Sequence, residues 1–151
     1  MTNGQLANAL RDLRDFLIIA GYEESHATRY TMIARHIEKL PESVEQMKRE
    51  GRLDEIPGGG KLIKGYIKEF LDTGTCSKIK EWESEAPLTV LELVRIPGLG
   101  AKTARMLYAN YGVYSLESLK LALEEGKLDS APGIGPKTLS NMRDYVSAHG
   151  A

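Results

Sequence analysis

The sequence is short of several things that many functional classes need. It has one cysteine, Cys76, so neither an intrachain disulfide nor a cysteine-built zinc site is open to it. Its three histidines, His26, His36 and His149, are too dispersed for a metal cluster or a catalytic triad and read as surface residues. Two Phe and one Trp, against many Leu, Ile and Ala, favour helix packing over a β-sandwich, which draws on β-branched and aromatic residues. No apolar run approaches the ~20 residues of a membrane span, and the N-terminus lacks a basic-then-apolar signal pattern. The expectation is a cytoplasmic chain with no membrane partner. Positive charge is not in excess either: 20 basic and 21 acidic residues leave a net charge of −1. Any binding of a polyanion therefore has to come from local geometry.

What is present is helical periodicity, and the expected fold class is all-α. Leu6, Leu10, Leu13, Phe16, Leu17 and Ala20 mark one face of a first helix ended by Gly21. Ala27, Tyr30, Ile33, Ala34, Ile37 and Leu40 mark a second, stopped by Pro41. A short helix follows from Val44 to Glu50. The set Leu62, Ile63, Tyr66, Ile67, Phe70 and Leu71 gives a fourth, with Gly74 placed as its C-terminal cap. Ile79 and Trp82 anchor a fifth. The stretch Glu85-Ala86-Pro87 divides the chain into residues 1–86, with 13 basic and 15 acidic side chains, and residues 87–151, with seven and six. The second part predicts helices over Thr89–Arg95, Lys102–Tyr111, Leu116–Glu125 and Pro136–Ala148.

An internal repeat carries the functional argument. Ile56-Pro57-Gly58-Gly59-Gly60-Lys61, Ile96-Pro97-Gly98-Leu99-Gly100-Ala101-Lys102 and Ala131-Pro132-Gly133-Ile134-Gly135-Pro136-Lys137 each read as an apolar residue, Pro-Gly-x-Gly, then a lysine opening an amphipathic helix. The glycines permit a tight turn at positive φ, and the following helix starts abruptly with its first backbone N–H groups unpaired. Those donors and the positive end of the helix dipole make an anion site that a phosphate can approach closely. Lys102 and Lys137 lie in a first helical turn, where a cation makes sense if an anion is to bind. The candidate phosphate contacts are Gly98, Leu99, Gly100, Lys102 and Thr103; Gly133, Ile134, Gly135, Lys137 and Thr138; and Gly58, Gly60, Lys61 and Lys64. The first motif departs most, with Gly59 in place of an inserting apolar side chain and one residue fewer before its lysine. It reads closest to a purely structural turn.

The three motifs resemble helix-hairpin-helix units, in the order and spacing seen in the N-terminal region of family X DNA polymerases. Residues 3–80 look like that family's lyase-type domain, through Arg29-Tyr30, Gly58-Gly59-Gly60 and the stretch Ile67-Lys68-Glu69-Phe70-Leu71-Asp72-Thr73-Gly74. Residues 88–148 look like its fingers-type segment. The resemblance implies an N-terminal bundle of four or five helices with one degenerate hairpin, followed by a tandem of two hairpin units. It also implies sequence-independent DNA binding in repair or replication, on a monomer, nucleoid-associated if the source is prokaryotic. No cofactor is required, but hairpin carbonyls in the family hold Na+ or K+. The counterparts are the carbonyls of Val94, Ile96 and Leu99, and those of Asp129, Ala131 and Ile134.

Two departures bear on catalysis. The family's lyase forms a Schiff base through a lysine amine, and an ungapped match puts Tyr66 at that position and Leu62 where a phosphate-binding lysine is usual. A phenol cannot form an imine. The polymerase palm needs carboxylates on a sheet holding two metals, and the chain has no Asp-x-Asp. The expectation is a non-catalytic DNA-binding chain, either a fragment of a longer polymerase or a complete small protein. The alternatives are an abasic-site lyase using Lys64 or Lys68, and an adaptor that holds repair proteins by its hairpins. The stretch Lys61–Lys80, with five basic residues against two acidic, fits a solvated face or a DNA-facing patch. Asp12 and Asp15 are expected to pair with Arg11 and Arg14, and Cys76 to pack at a helix start.

Overall fold

The computed structural model describes residues 1–150; Ala151, the last residue of the expected second unit, lies outside them. The described residues form α-helices and 3₁₀ segments with no strand among them, an all-α fold. The helices are α1 (Asn3–Ala20), α2 (Glu24–Lys39), α3 (Val44–Arg49), α4 (Lys61–Thr73), α5 (Ser77–Trp82), α6 (Ala101–Tyr111), α7 (Leu116–Glu124) and α8 (Pro136–Ala148). Local chemistry sets their ends. Thr2 and Gln5 form a reciprocal capping box at the start of α1, and Gly21, at φ 102°, closes it in the left-handed region. Gly74 does the same for α4 at φ 80°.

One expected helix takes a different form. Leu88–Arg95 is a 3₁₀ segment rather than an α-helix. The reason lies in the spacing of its buried side chains. Val90, Leu93 and Ile96 recur every third residue and are all essentially inaccessible. At three residues per turn they stack along one edge, whereas α-helical geometry would fan them apart.

The core gathers in two clusters, and α1 serves both. Leu6, Leu10, Leu13 and Leu17 pack with Tyr30, Ile33 and Ile37 of α2 and with Ile63, Ile67 and Phe70 of α4. Phe16, Ile18, Ile19 and Ala20, together with Ala27 of α2, pack instead with Val90, Leu93, Leu99, Ala104, Leu107 and Met142. Fully burying each such Leu or Ile contributes roughly 1.5–3 kcal/mol, so the shared helix ties the two halves together. Tyr22, Ile79 and Trp82 touch both clusters. At this seam Trp82 meets Tyr22 edge to face at 5.2 Å, and the Lys78 ammonium lies 4.8 Å from the Tyr22 ring centre.

Candidate phosphate-binding hairpins

The three Pro-Gly-x-Gly strings adopt one backbone shape. Gly58, Gly98 and Gly133 have φ of 88°, 82° and 78°, a region where a side chain would be strained. Gly60, Gly100 and Gly135 are the extended N-caps of α4, α6 and α8, with ψ of 176°, 177° and 177° and no side-chain cap at any of them. The first amides to bond back along the helices are Lys64 to the Gly60 carbonyl, Ala104 to Gly100 and Leu139 to Gly135, at 3.1, 3.0 and 3.0 Å. The amides of Lys102 and Thr103, and of Lys137 and Thr138, precede them and have no intrahelical partner. A Cβ built on Gly60, Gly100 or Gly135 meets nothing within 4 Å, so the approach to each helix start is open.

Leu99 and Ile134 play a different part from the glycines around them. Their amides donate to the carbonyls of Ile96 and Ala131, each at 3.1 Å, and close the turns. Both residues, 4% and 7% exposed, are buried in the core cluster that the flanking helices share. In the first hairpin the corresponding side chain is absent and the space is taken by other elements. A Cβ on Gly59 would lie 3.3 Å from Ile33 Cδ1 and 3.7 Å from Ile63, so α2 fills the space that Leu99 and Ile134 fill elsewhere. The first motif thus shares the turn geometry of the others. Its missing residue lies in the helix, where Lys61 occupies the first position and Lys102 and Lys137 the second.

The electrostatic settings differ. Lys137 is exposed and has no ion pair among the described residues. Lys102 meets Glu24 of α2 at 3.0 Å. Beside the first hairpin, Arg52 donates to Glu42, Glu50 and Glu55 at 2.7–2.9 Å. Three carboxylates share one guanidinium, a local net charge of −2 in the segment that leads into this hairpin. The side-chain hydrogen bonds from Arg52 hold the carboxyls of Glu50 and Glu55 below their ordinary range. Lys64 turns inward, donating to the Asp54 carbonyl at 2.9 Å. Within the basic stretch, Lys64 and Lys78 are tucked in at 17% and 13% exposure, while Lys61, Lys68 and Lys80 face solvent.

Some pairings run between the halves, where sequence spacing gives no signal. Arg14 does hold Asp15, at 2.9 Å. Arg11 instead forks onto Glu38, and Asp12 takes a two-pronged contact from Arg95 at 2.9 Å for each prong. The reach of Arg95 across 83 residues places the second hairpin against α1. Asn141 of α8 donates to the Pro97 carbonyl at 3.3 Å and stands 3.4 Å from a Cβ built on Gly98, so α8 braces the second hairpin.

Residues 90–145, which include both the second and third hairpins, match the family described as a SAM-like helix-hairpin-helix tandem. The DNA polymerase/3'-5' exonuclease PolX of Bacillus subtilis is 37% identical over 83 residues, 55% of this chain and 15% of that protein. DNA polymerase lambda of Arabidopsis thaliana is 31% identical over 128 residues, 82% of this chain and 22% of that protein. Over part of its length this chain is homologous to family X DNA polymerases. It spans less than a quarter of either relative.

Tyr66, at the expected Schiff-base position, is 7% exposed, and burial pushes its phenol above the ordinary tyrosine range. It borders a surface groove with Lys61, Leu62, Gly65, Glu69 and Ser77. Glu69, on the same groove, accepts from the Ser77 amide at 2.7 Å. No group of three or more His, Cys, Asp or Glu able to hold a metal occurs among the described residues. The hairpin carbonyls are a separate matter. Ile96 and Ala131 each spend one lone pair on a turn amide and keep the other, which suits a weakly held monovalent cation. Cys76 is 2% exposed at the start of α5, its thiol pushed up by burial and therefore unreactive. Among the described residues no helix is long and apolar enough to cross a membrane.

Proposed function

We propose that the chain grips DNA by its phosphate backbone, without reading base sequence, in repair or replication. The observation that carries this reading is the pair of uncapped helix starts at Gly100 and Gly135, open to solvent and each followed by a first-turn lysine. Backbone amides and the helix dipole attract an anion of any sequence context, so such contacts position a duplex and carry no base information. The relatives' names support the substrate class, since both are DNA polymerases. A Na+ or K+ ion on the carbonyls of Val94, Ile96 and Leu99, or of Asp129, Ala131 and Ile134, would add positive charge at the same phosphates. The first hairpin, with Gly58, Gly60, Lys61 and Lys64, contributes less because Lys64 is already engaged by Asp54.

The test is a salt titration of binding to labelled duplex and gapped DNA. With roughly three to five phosphates engaged, log K should fall against log salt with a slope of about −3 to −4.5 on duplex. Affinity should be independent of sequence. Binding that ignores salt, or that discriminates strongly between unrelated sequences, overturns the reading.

A further inference from the structure

Resting on the phosphate-grip reading, we propose that Glu24 is a built-in competitor for the phosphate at the second hairpin. DNA then engages the third hairpin without displacing anything and takes the second only by evicting Glu24.

Glu24 is the first residue of α2, in the N-terminal half, and Lys102 is the second residue of α6. Their charged atoms stand 3.0 Å apart. The carboxylate sits well where it is, because the start of α2 favours negative charge. Two other cations around this hairpin are also engaged by N-terminal residues. Arg105 donates to the Ile19 carbonyl at 2.9 Å, at the C-terminal end of α1, and Arg95 forks onto Asp12. These two contacts brace the halves and keep Glu24 in front of Lys102. The Glu24–Lys102 pair itself is exposed, at 43% and 75%, so it is weak and displaceable. Lys137 has no such partner among the described residues. The two hairpins share a backbone and differ in whether an internal anion already stands at the lysine.

The pairing has a thermodynamic signature. A lysine facing solvent adds a released counterion when DNA binds, whereas Lys102 paired with Glu24 gives up a tethered carboxylate instead. Removing the carboxylate should therefore tighten binding and steepen its salt dependence. The experiment is a fluorescence-anisotropy titration of the full chain against a mixed-sequence duplex across a NaCl series. The variants are Glu24→Gln, Lys102→Gln, Lys137→Gln and Glu117→Gln. Glu117 matches the charge change of Glu24 and shares a groove with Gly150, past the far end of α8 from the third hairpin.

Glu24→Gln should bind about 3-fold tighter than Glu117→Gln. Its log–log slope should be steeper by about 0.9, one further counterion. Lys137→Gln should weaken binding more than Lys102→Gln does. Equal effects of Glu24→Gln and Glu117→Gln, or equal losses from the two lysine variants, overturn the proposal and leave the phosphate-grip reading standing. Absence of salt-dependent DNA binding by the unmodified chain fails that reading instead. If Glu24→Gln proves unfolded by circular dichroism, the comparison of the two lysine variants decides alone.

Discussion

Placing a carboxylate at the two open helix starts separates DNA binding from folding. Gly100 and Gly135 are N-caps with φ of −93° and −91°, which any residue can adopt, and a Cβ there meets nothing. In Gly100→Asp and Gly135→Asp the new carboxylate can accept from the amides of Lys102 or Thr103, and of Lys137 or Thr138. Gly and Asp differ by only a few tenths of a kcal/mol as N-caps, and a negative charge at the helix start adds about 0.3–1 kcal/mol. Tm should therefore hold or rise by about 1–4 °C. DNA binding should move the other way. The carboxylate occupies the donors that would face a phosphate and repels what remains. Losing charge-assisted hydrogen bonds worth about 1.5–3 kcal/mol weakens binding roughly 10- to 150-fold per site. Each lost phosphate should also flatten the log–log salt slope by about 0.9. Anisotropy titrations in a salt series give both numbers, and thermal melts give the control. A double variant that melts like the unmodified chain and binds duplex with unchanged affinity and slope would refute the mechanism.

Two further expectations concern stability. The Tyr30 hydroxyl is fully buried with no hydrogen-bond partner among the described residues, and burial pushes its pKa up to about 12. Tyr30→Phe removes that unmet group and should be neutral or stabilising by up to about 1 kcal/mol, a Tm gain of about 2–4 °C or less. Because the phenol of the unfolded chain ionises near the ordinary tyrosine value of 10.0, the native chain should lose stability as pH rises from there toward about 12, and the Phe variant should lose less. A marked drop in Tm would instead reveal a partner for the hydroxyl. Burial likewise raises the Asp15 carboxyl above its ordinary range, with Arg14 only partly offsetting it. Between the ordinary and the raised pKa the native state keeps a proton that the unfolded state releases, so Asp15 costs stability as pH climbs through that window. Asp15→Asn should raise Tm at neutral pH and reduce that slope in melts run through the acid range. A lower Tm at pH 7 would mean that the Arg14 contact outweighs the burial.

Much of this fold was legible because helical chemistry is local. Gly21 and Gly74 stop α1 and α4 where their sequence positions suggest, and Pro136 opens α8 as a first-turn proline should. The hairpins were legible for the same reason, since Pro-Gly-x-Gly dictates its own backbone. The 3₁₀ segment was readable in hindsight from Val90, Leu93 and Ile96, whose spacing of three competes with the helical pattern around it. The charge partners were not legible. Asp12 lies next to Arg11 in sequence, yet Arg95 captures it once α1 and the second hairpin pack together. Lys64 and Lys78 count as surface charge in a tally of residues, but tertiary packing turns one onto a carbonyl and the other over a ring.

The same turn occurs three times, and its surroundings divide the labour. Backbone shape is common to all three, so shape alone cannot rank them. The first is filled by Ile33 and has its Lys64 turned onto the Asp54 carbonyl, which suits a joint between α2 and α4 better than a polyanion seat. The second is braced by Asn141 and faces Glu24. The third has an exposed lysine and open space over Gly133 and Gly135. A net charge of −1 is then no obstacle to gripping DNA, because the half that carries the second and third hairpins has seven basic residues against six acidic. Within a Debye length of about 8 Å at physiological salt, a phosphate responds to the charges of the hairpin it meets and hardly to those of the whole chain. Binding strength should accordingly follow substitutions at the second and third hairpins far more than equal charge changes remote from both.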